Sequence, residues 1–217
     1  MPRKYENPRL TKRDRIIIRR IAEQQVVRLD TLSDLFEFKF NRINRSDLYA
    51  LCEKWKRLGY INKSKLLGDV PLIIWITNSG MKMTGMPLDQ REKISKPSIT
   101  TVLHGTALSA VRLMYEKNGY IWICERLLRS DFQSSHLPDG MAYNNDFRIL
   151  VEVDRTRKEA KRAQNIMAIN ARTPGISCVD YWVTSEVFPF TKLSSEKLPA
   201  DLSNKIRVFP LPEEINL

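Results

Sequence analysis

The sequence of 217 residues predicts a mixed α/β (α+β) protein in two parts: three helices with a hairpin, then an α-β-β-β-α-β core. Three observations predict it. Apolar spacing is helical up to Gly59 and turns into extended runs after it. Further on, His136-Leu-Pro-Asp-Gly and Ile149-Leu-Val-Glu-Val-Asp154 put acids on two successive strands, with a basic helix behind them. Charge is also uneven. Residues 1–90 hold 18 Lys and Arg against 10 Asp and Glu, net +8, whereas residues 91–217 hold 18 against 15, net +3. A basic excess in one half is what contact with a polyanion requires.

Thr11 begins the first helix as its N-cap, with Asp14 in the first turn, where a carboxylate suits the helix dipole. Ile17, Ile18 and Ile21 then face inward, and Arg13, Arg15, Arg19 and Arg20 spread over the remaining surface. A second short helix is expected from Thr31 to Phe36, capped by Asp30 or Thr31. In the third, Leu48, Leu51, Cys52, Trp55 and Leu58 recur at helical spacing, and Gly59 supplies the stop. Residues 60–67 read as a strand, Gly68-Asp-Val-Pro71 as a turn and residues 72–77 as the returning strand.

Three helices and a two-stranded wing are the layout of a winged helix-turn-helix, whose third helix enters the major groove while the wing follows phosphates. The expected DNA-binding residues are Arg42, Arg45, Lys54, Lys56 and Arg57 around the third helix, with Lys63 and Lys65 on the wing. A solvated basic face or a protein-binding winged helix is the plainer alternative, which the positive surplus disfavours. This domain is expected over residues 1–85, including a short helix within 77–85. Residues 86–98, polar and holding Pro87 and Pro97, read as a linker, and residues 99–217 as the second domain.

There, Leu103, Ala107, Ala110, Val111 and Met114 give a helical stripe that ends near Asn118-Gly119, with His104 a structural histidine on it. Residues 120–124 read as a strand, followed by a short helical stretch and a strand over 137–143. Asn144-Asn-Asp146 is a turn signal, and residues 147–154 are a buried strand. A helix over 156–171, with Ala160, Ala163 and Met167 inside, is broken by Thr173-Pro-Gly. Strands over 177–183 and 206–209 complete the core, and residues 191–205 are a polar segment open to proteolysis.

Alternation puts Glu152 and Asp154 on one face of their strand, opposite Val151 and Val153. Acids converging from two strands suit a hard divalent cation that activates water beside a phosphate; the ordinary alternative is a hairpin with solvated acids. The order of elements and the Pro-Asp and Glu-x-Asp steps resemble the PD-(D/E)xK nuclease superfamily over residues 100–184. More broadly, the chain resembles bacterial replication-relaxation proteins of plasmids and mobile elements. That resemblance rests on Leu10-Thr-x-x-Asp, Trp75-Ile-Thr-x-x-Gly, His104 with its apolar run, Leu137-Pro-Asp, and Val151-Glu-Val-Asp with Lys158 downstream.

The resemblance implies a PD-(D/E)xK nuclease-like domain with Asp139, Glu152, Asp154 and Lys158 as catalytic residues. Asp139 and Glu152 would hold Mg²⁺ or Mn²⁺ in an active form, and no cofactor is implied for an inactive one. The superfamily places a lysine two residues after the Glu to stabilise charge at the attacked phosphate. Here Asp154 stands in that position, so Lys158, with Lys161 next, is the substitute from the following helix. Glu116 reads as an exposed helix-end carboxylate or as an additional acid of the site.

Cys52, Cys124 and Cys178 are odd in number, lack a Cys-x-x-Cys pair and lie in apolar stretches, which predicts buried free thiols. With only His104 and His136, a zinc site is improbable on composition. No signal-peptide pattern or membrane-length apolar run occurs, so a cytoplasmic protein without membrane contact is expected. The resulting expectation is a DNA-binding accessory protein acting in plasmid replication control or mobilisation. Its partners are double-stranded DNA and a relaxase or replication protein, and a homodimer stays open. The alternatives are a metal-dependent DNA endonuclease and a winged-helix transcriptional repressor.

Overall fold

The computed structural model describes residues 9–65, 71–87, 95–130, 132, 136–145 and 147–212. The expected turn at Gly68–Pro71, most of the linker centred on 88–94, and Asp146 of the hairpin turn lie wholly or partly outside the described residues. The chain is mixed α/β and divides into two compact units, Met1–Thr106 and Ala107–Leu217. The division falls inside a helix rather than within 86–98.

In the first unit, α1 (Lys12–Gln24) opens with a complete capping box. The Thr11 side chain accepts from the Asp14 N–H, and the Asp14 carboxylate accepts from the Thr11 N–H at 2.8 Å. Asp14 has a second role that its first-turn position does not advertise. It is 0% exposed and accepts from Trp55 Nε1 at 3.1 Å and Lys54 Nζ at 2.7 Å, both on α3 (Arg45–Arg57). Between them, β1 (Val26–Arg28) leads into α2 (Leu29–Phe40), which starts two residues before the expected Thr31. Asp30 and Thr31 do not cap it: Arg28 occupies the N-cap position, and Asp30 is ion-paired with that arginine. The Phe36 and Trp55 rings stack with centroids 6.3 Å apart, joining α2 to α3.

Gly59, at φ +75°, ends α3 as expected. β2 (Ile61–Ser64) and β3 (Ile73–Ile76) pair antiparallel, and β1 adds to the other edge of β3, giving the order β1-β3-β2. All four residues of β3 are buried, as a central strand covered on both sides must be. Thr77 caps α4 (Asn78–Thr84), and a side chain at Gly80 would collide with the Tyr60 carbonyl oxygen. The first turns of α5 (Ile99–Lys117) belong to this unit, where Val102 packs with Val26, Ile73 and Trp75.

The second unit is a five-stranded mixed sheet ordered β4-β5-β6-β7-β8. β4 (Ile121–Cys124), β5 (Gly140–Asn144) and β6 (Phe147–Asp154) are antiparallel neighbours, and the last two are joined across Asn145, which has φ +49°. α7 (Ala160–Arg172) crosses to β7 (Cys178–Val183), which lies parallel to β6, and β8 (Ile206–Pro210) extends the parallel side. A single turn, α6 (Glu125–Leu128), follows β4. One face packs Leu150, Val179, Tyr181 and Val183 against Met167 and Ala171 of α7. On the other face, Tyr115 of α5 meets Trp122 and Trp182, and Asp180 accepts from Tyr115 and from Arg207 Nε and Nη2 at 2.7 and 2.8 Å. A Cβ at Gly140 would collide with the Trp122 ring, so this glycine lets the indole lie against β5.

Several expectations are corrected. α7 begins at Ala160, not Thr156, and Ala160 is exposed. The polar stretch 191–205 is ordered as α8 (Phe188–Glu196) and α9 (Ala200–Ser203). Of the stripe read along α5, Ala107 and Val111 are buried, whereas Leu103, Ala110 and Met114 are only partly so. Glu116 is not an exposed helix end; it is buried against Arg112 at 3.1 Å. The three cysteines are buried free thiols, and burial pushes the Cys52 thiol up to about 12 and Cys178 up to about 11.

Removing a buried charge leaves its partners stranded, which costs about 3 kcal/mol or more. Asp14→Ala is therefore expected to destabilise the first unit by about 3 kcal/mol in urea unfolding. A loss below about 1 kcal/mol would show that water replaces the carboxylate at Lys54 and Trp55.

Candidate functional site

The second unit gathers ionisable groups where β6 ends. Gly140 pairs with Val151, so Asp139, one residue earlier, falls opposite Glu152, and directly opposed residues share a face. Glu152 and Asp154 share that face by alternation, and Tyr181 is the parallel-ladder partner of Glu152. The Tyr181 phenol is held well above its usual range, first by burial and then by the charge of Glu152, with smaller contributions from Asp154 and Asp139. All four expected residues are therefore neighbours: Asp139, Glu152, Asp154, and Lys158, which is ion-paired with Asp154. Lys158 comes from the segment before α7, not from its first turn, because Glu159 occupies the N-cap position.

Glu152 is the best buried of these carboxylates, at 3% exposure. Its Oε1 lies 2.6 Å from His136 Nε2 and accepts from Asn170 Nδ2 at 2.8 Å; the same amide reaches the Tyr181 hydroxyl at 3.4 Å. Asp139 Oδ2 accepts from the Val153 N–H at 2.8 Å, which ties the start of β5 to β6. Burial raises the Glu152 carboxyl well above the carboxylate range; the His136 hydrogen bond lowers it, and the nearby Asp139 charge raises it again. Burial wins because, among the described residues, no arginine or lysine bonds directly to this carboxylate. For His136, the hydrogen bond to Glu152 raises the imidazole above its ordinary value and outweighs burial.

The acids of this arrangement are already partly engaged by the protein itself. A hard cation needs several carboxylate lone pairs aimed at one point. Here one oxygen of each acid is committed: Glu152 to His136 and Asn170, Asp139 to a backbone N–H, and Asp154 to Lys158. Among the described residues, no group of three or more His, Cys, Asp or Glu is disposed to hold a metal ion. What the arrangement can do is hold a proton between an imidazole and a buried carboxyl.

His136 and Asn170 were missed as site residues. Asn170 interrupts the buried side of α7 beside Met167 and Ala171, and a polar residue in an apolar stripe is the signal that could have found it. In the first unit, Arg42, Arg45, Lys56, Arg57 and Lys65 are exposed. Lys54 and Lys63 are not available in the same way. Lys54 holds Asp14, and Lys63 pairs with Glu53 at 2.7 Å while lying 5.1 Å from the Tyr49 ring centroid. Both were expected to meet DNA; each is half-buried and ion-paired with an acid of the same unit.

Comparison with protein-family models, with curated proteins and with solved structures finds no match. Among the described residues, no helix is long and apolar enough to cross a membrane.

Both groups of the His136–Glu152 pair hold protons more tightly in the folded state, so stability falls as pH rises. The fall begins above the ordinary carboxyl value of 4.5 and continues past the ordinary imidazole value of 6.5. Glu152→Gln removes the carboxyl titration. In thermal denaturation from about pH 5 to about pH 8, this variant should gain on the wild type as pH rises. A constant difference between them would contradict the buried-proton arrangement.

Proposed function

We propose that the chain is a DNA-binding accessory protein of a mobile genetic element, acting with a relaxase or replication protein in plasmid replication control or mobilisation. In this reading the first unit is a winged helix that binds duplex DNA. The second is a PD-(D/E)xK-like core, of replication-relaxation type, that holds DNA rather than cutting it.

The observation that carries the DNA reading is the exposed set Arg42, Arg45, Lys56, Arg57 and Lys65, on α3 and immediately beside α3 and β2. The other expected cations, Lys54 and Lys63, secure α3 and β2 internally. On the exposed part of α3, Ser46 and Ala50 are small, so a DNA groove can approach the helix closely. Cations at the N-terminal end of such a helix contact base edges or flanking phosphates, and each neutralised phosphate adds about 0.9 to the salt slope of binding.

A second reading, a metal-dependent endonuclease, is favoured by Asp139, Glu152 and Asp154 standing on one face where β6 ends. Against it stand the hydrogen bonds that already occupy these acids. Supercoiled plasmid incubated with Mg²⁺ or Mn²⁺ should remain intact. Nicking that disappears in Asp139→Ala would establish the endonuclease instead.

Duplex binding separates the two kinds of lysine and arginine. Arg45→Ala should weaken binding roughly fivefold or more and reduce the salt slope by about one, with the melting temperature unchanged. Lys54→Ala should lower the melting temperature, because it strands Asp14. Unchanged duplex affinity in both Arg45→Ala and Arg57→Ala, measured by fluorescence anisotropy, would remove α3 from the interface.

A further inference from the structure

α8 is folded with its polarity inverted. Thr191, Ser194 and Ser195 are buried, while Phe190 and Leu193 are 41% and 51% exposed. The Arg157 guanidinium lies over the Phe190 ring at 3.7 Å from its centroid, so a flat cation–aromatic pair stands at the surface. Arg157 belongs to a strongly basic segment: residues 155–162 hold Arg155, Arg157, Lys158, Lys161 and Arg162 against the single acid Glu159. A small recess of about 20 Å³, lined among others by Asp154, Arg157, Lys158, Tyr181, Phe190 and Thr191, lies beside this pair.

We propose that the exposed Phe190–Arg157 pair, with the adjoining face of α8 and the basic segment before α7, binds single-stranded DNA. A base stacks on the Phe190–Arg157 pair, and the phosphates meet the exposed Lys161 and Arg162. The proposal rests on the DNA-holding role given above to the second unit and specifies its ligand. Duplex phosphates alone would need only the cations, and would leave Phe190 and Leu193 exposed without reward. An unpaired base has a free π-face, which an exposed ring beside a guanidinium is suited to cover. An apolar protein partner would suit Phe190 and Leu193 but not five cations in eight residues.

The test uses the full chain and a fluorescent oligothymidylate, with anisotropy as the readout. Phe190→Ala should weaken single-strand binding roughly fivefold or more, and Phe190→Trp should restore it. Changing Lys161 and Arg162 to alanine together should lower the single-strand salt slope by about 1.4. An oligonucleotide carrying 5-iodouracil should crosslink to the peptide that contains Phe190. Duplex binding should be unaffected by Phe190→Ala, so a failed winged-helix reading appears in the Arg45→Ala duplex measurement and not here. Wild-type single-strand affinity in Phe190→Ala, no oligothymidylate binding by the wild type, or clearly tighter binding of oligouridylate would each overturn the proposal.

Discussion

Asp14 is shut away from solvent, yet its carboxyl is held below the usual range. Burial alone would raise it; the Lys54 hydrogen bond, with those from Thr11 and Trp55, more than offsets that. Three donors, the Thr11 N–H, Lys54 and Trp55, thus converge on one side chain near the start of α1 that reaches across to α3. Because Trp55 also stacks on Phe36, the position of α2 follows from the same point. The basic surface of the first unit depends on it too, since a core carboxylate decides which lysine of α3 faces water. An exposed cation gains little from any one surface partner, whereas an unpaired buried acid costs several kcal/mol, so Lys54 stays with Asp14.

Two buried acids of the second unit, Asp180 and Glu152, keep contrasting company. Asp180 lies against Arg207 and the Tyr115 hydroxyl, with both oxygens occupied. Glu152 has an imidazole and an amide hydrogen-bonded to it. The first arrangement joins β7 to β8 and to α5. The second leaves a carboxyl whose protonation depends on its surroundings. The second kind stands two residues before the end of β6, shielded from solvent.

Much of the architecture was legible in the sequence because local signals agreed with tertiary packing. Thr11, Gly59, Gly119 and the Asn144-Asn turn all mark true boundaries. What was not legible had a common cause. α8 hides threonine and serine and shows phenylalanine and leucine, so an apolar stripe could not reveal it. β1 is three residues long, too short for any period. The approach of Asp139 to Glu152 could be anticipated from strand alternation. The involvement of His136 and Asn170 could not, because it depends on where α7 and the 136–139 segment land on the sheet. Likewise, counting cations could not separate Lys54 and Lys63 from their exposed neighbours, since that needed the positions of Asp14 and Glu53.

Gly140 gives the Pro-Asp-Gly run a meaning apart from chemistry. Its missing side chain is the space into which the Trp122 ring fits, and it immediately follows Asp139. The two positions are therefore bound to a joint history. A lineage that enlarges residue 140 must first shrink residue 122, and one that shrinks residue 122 opens a void beside the acid. Descendants that had lost every use for Asp139 would still keep the glycine for as long as they kept the tryptophan. In such a lineage the glycine records an ancestral packing solution rather than the chemistry of the acid beside it.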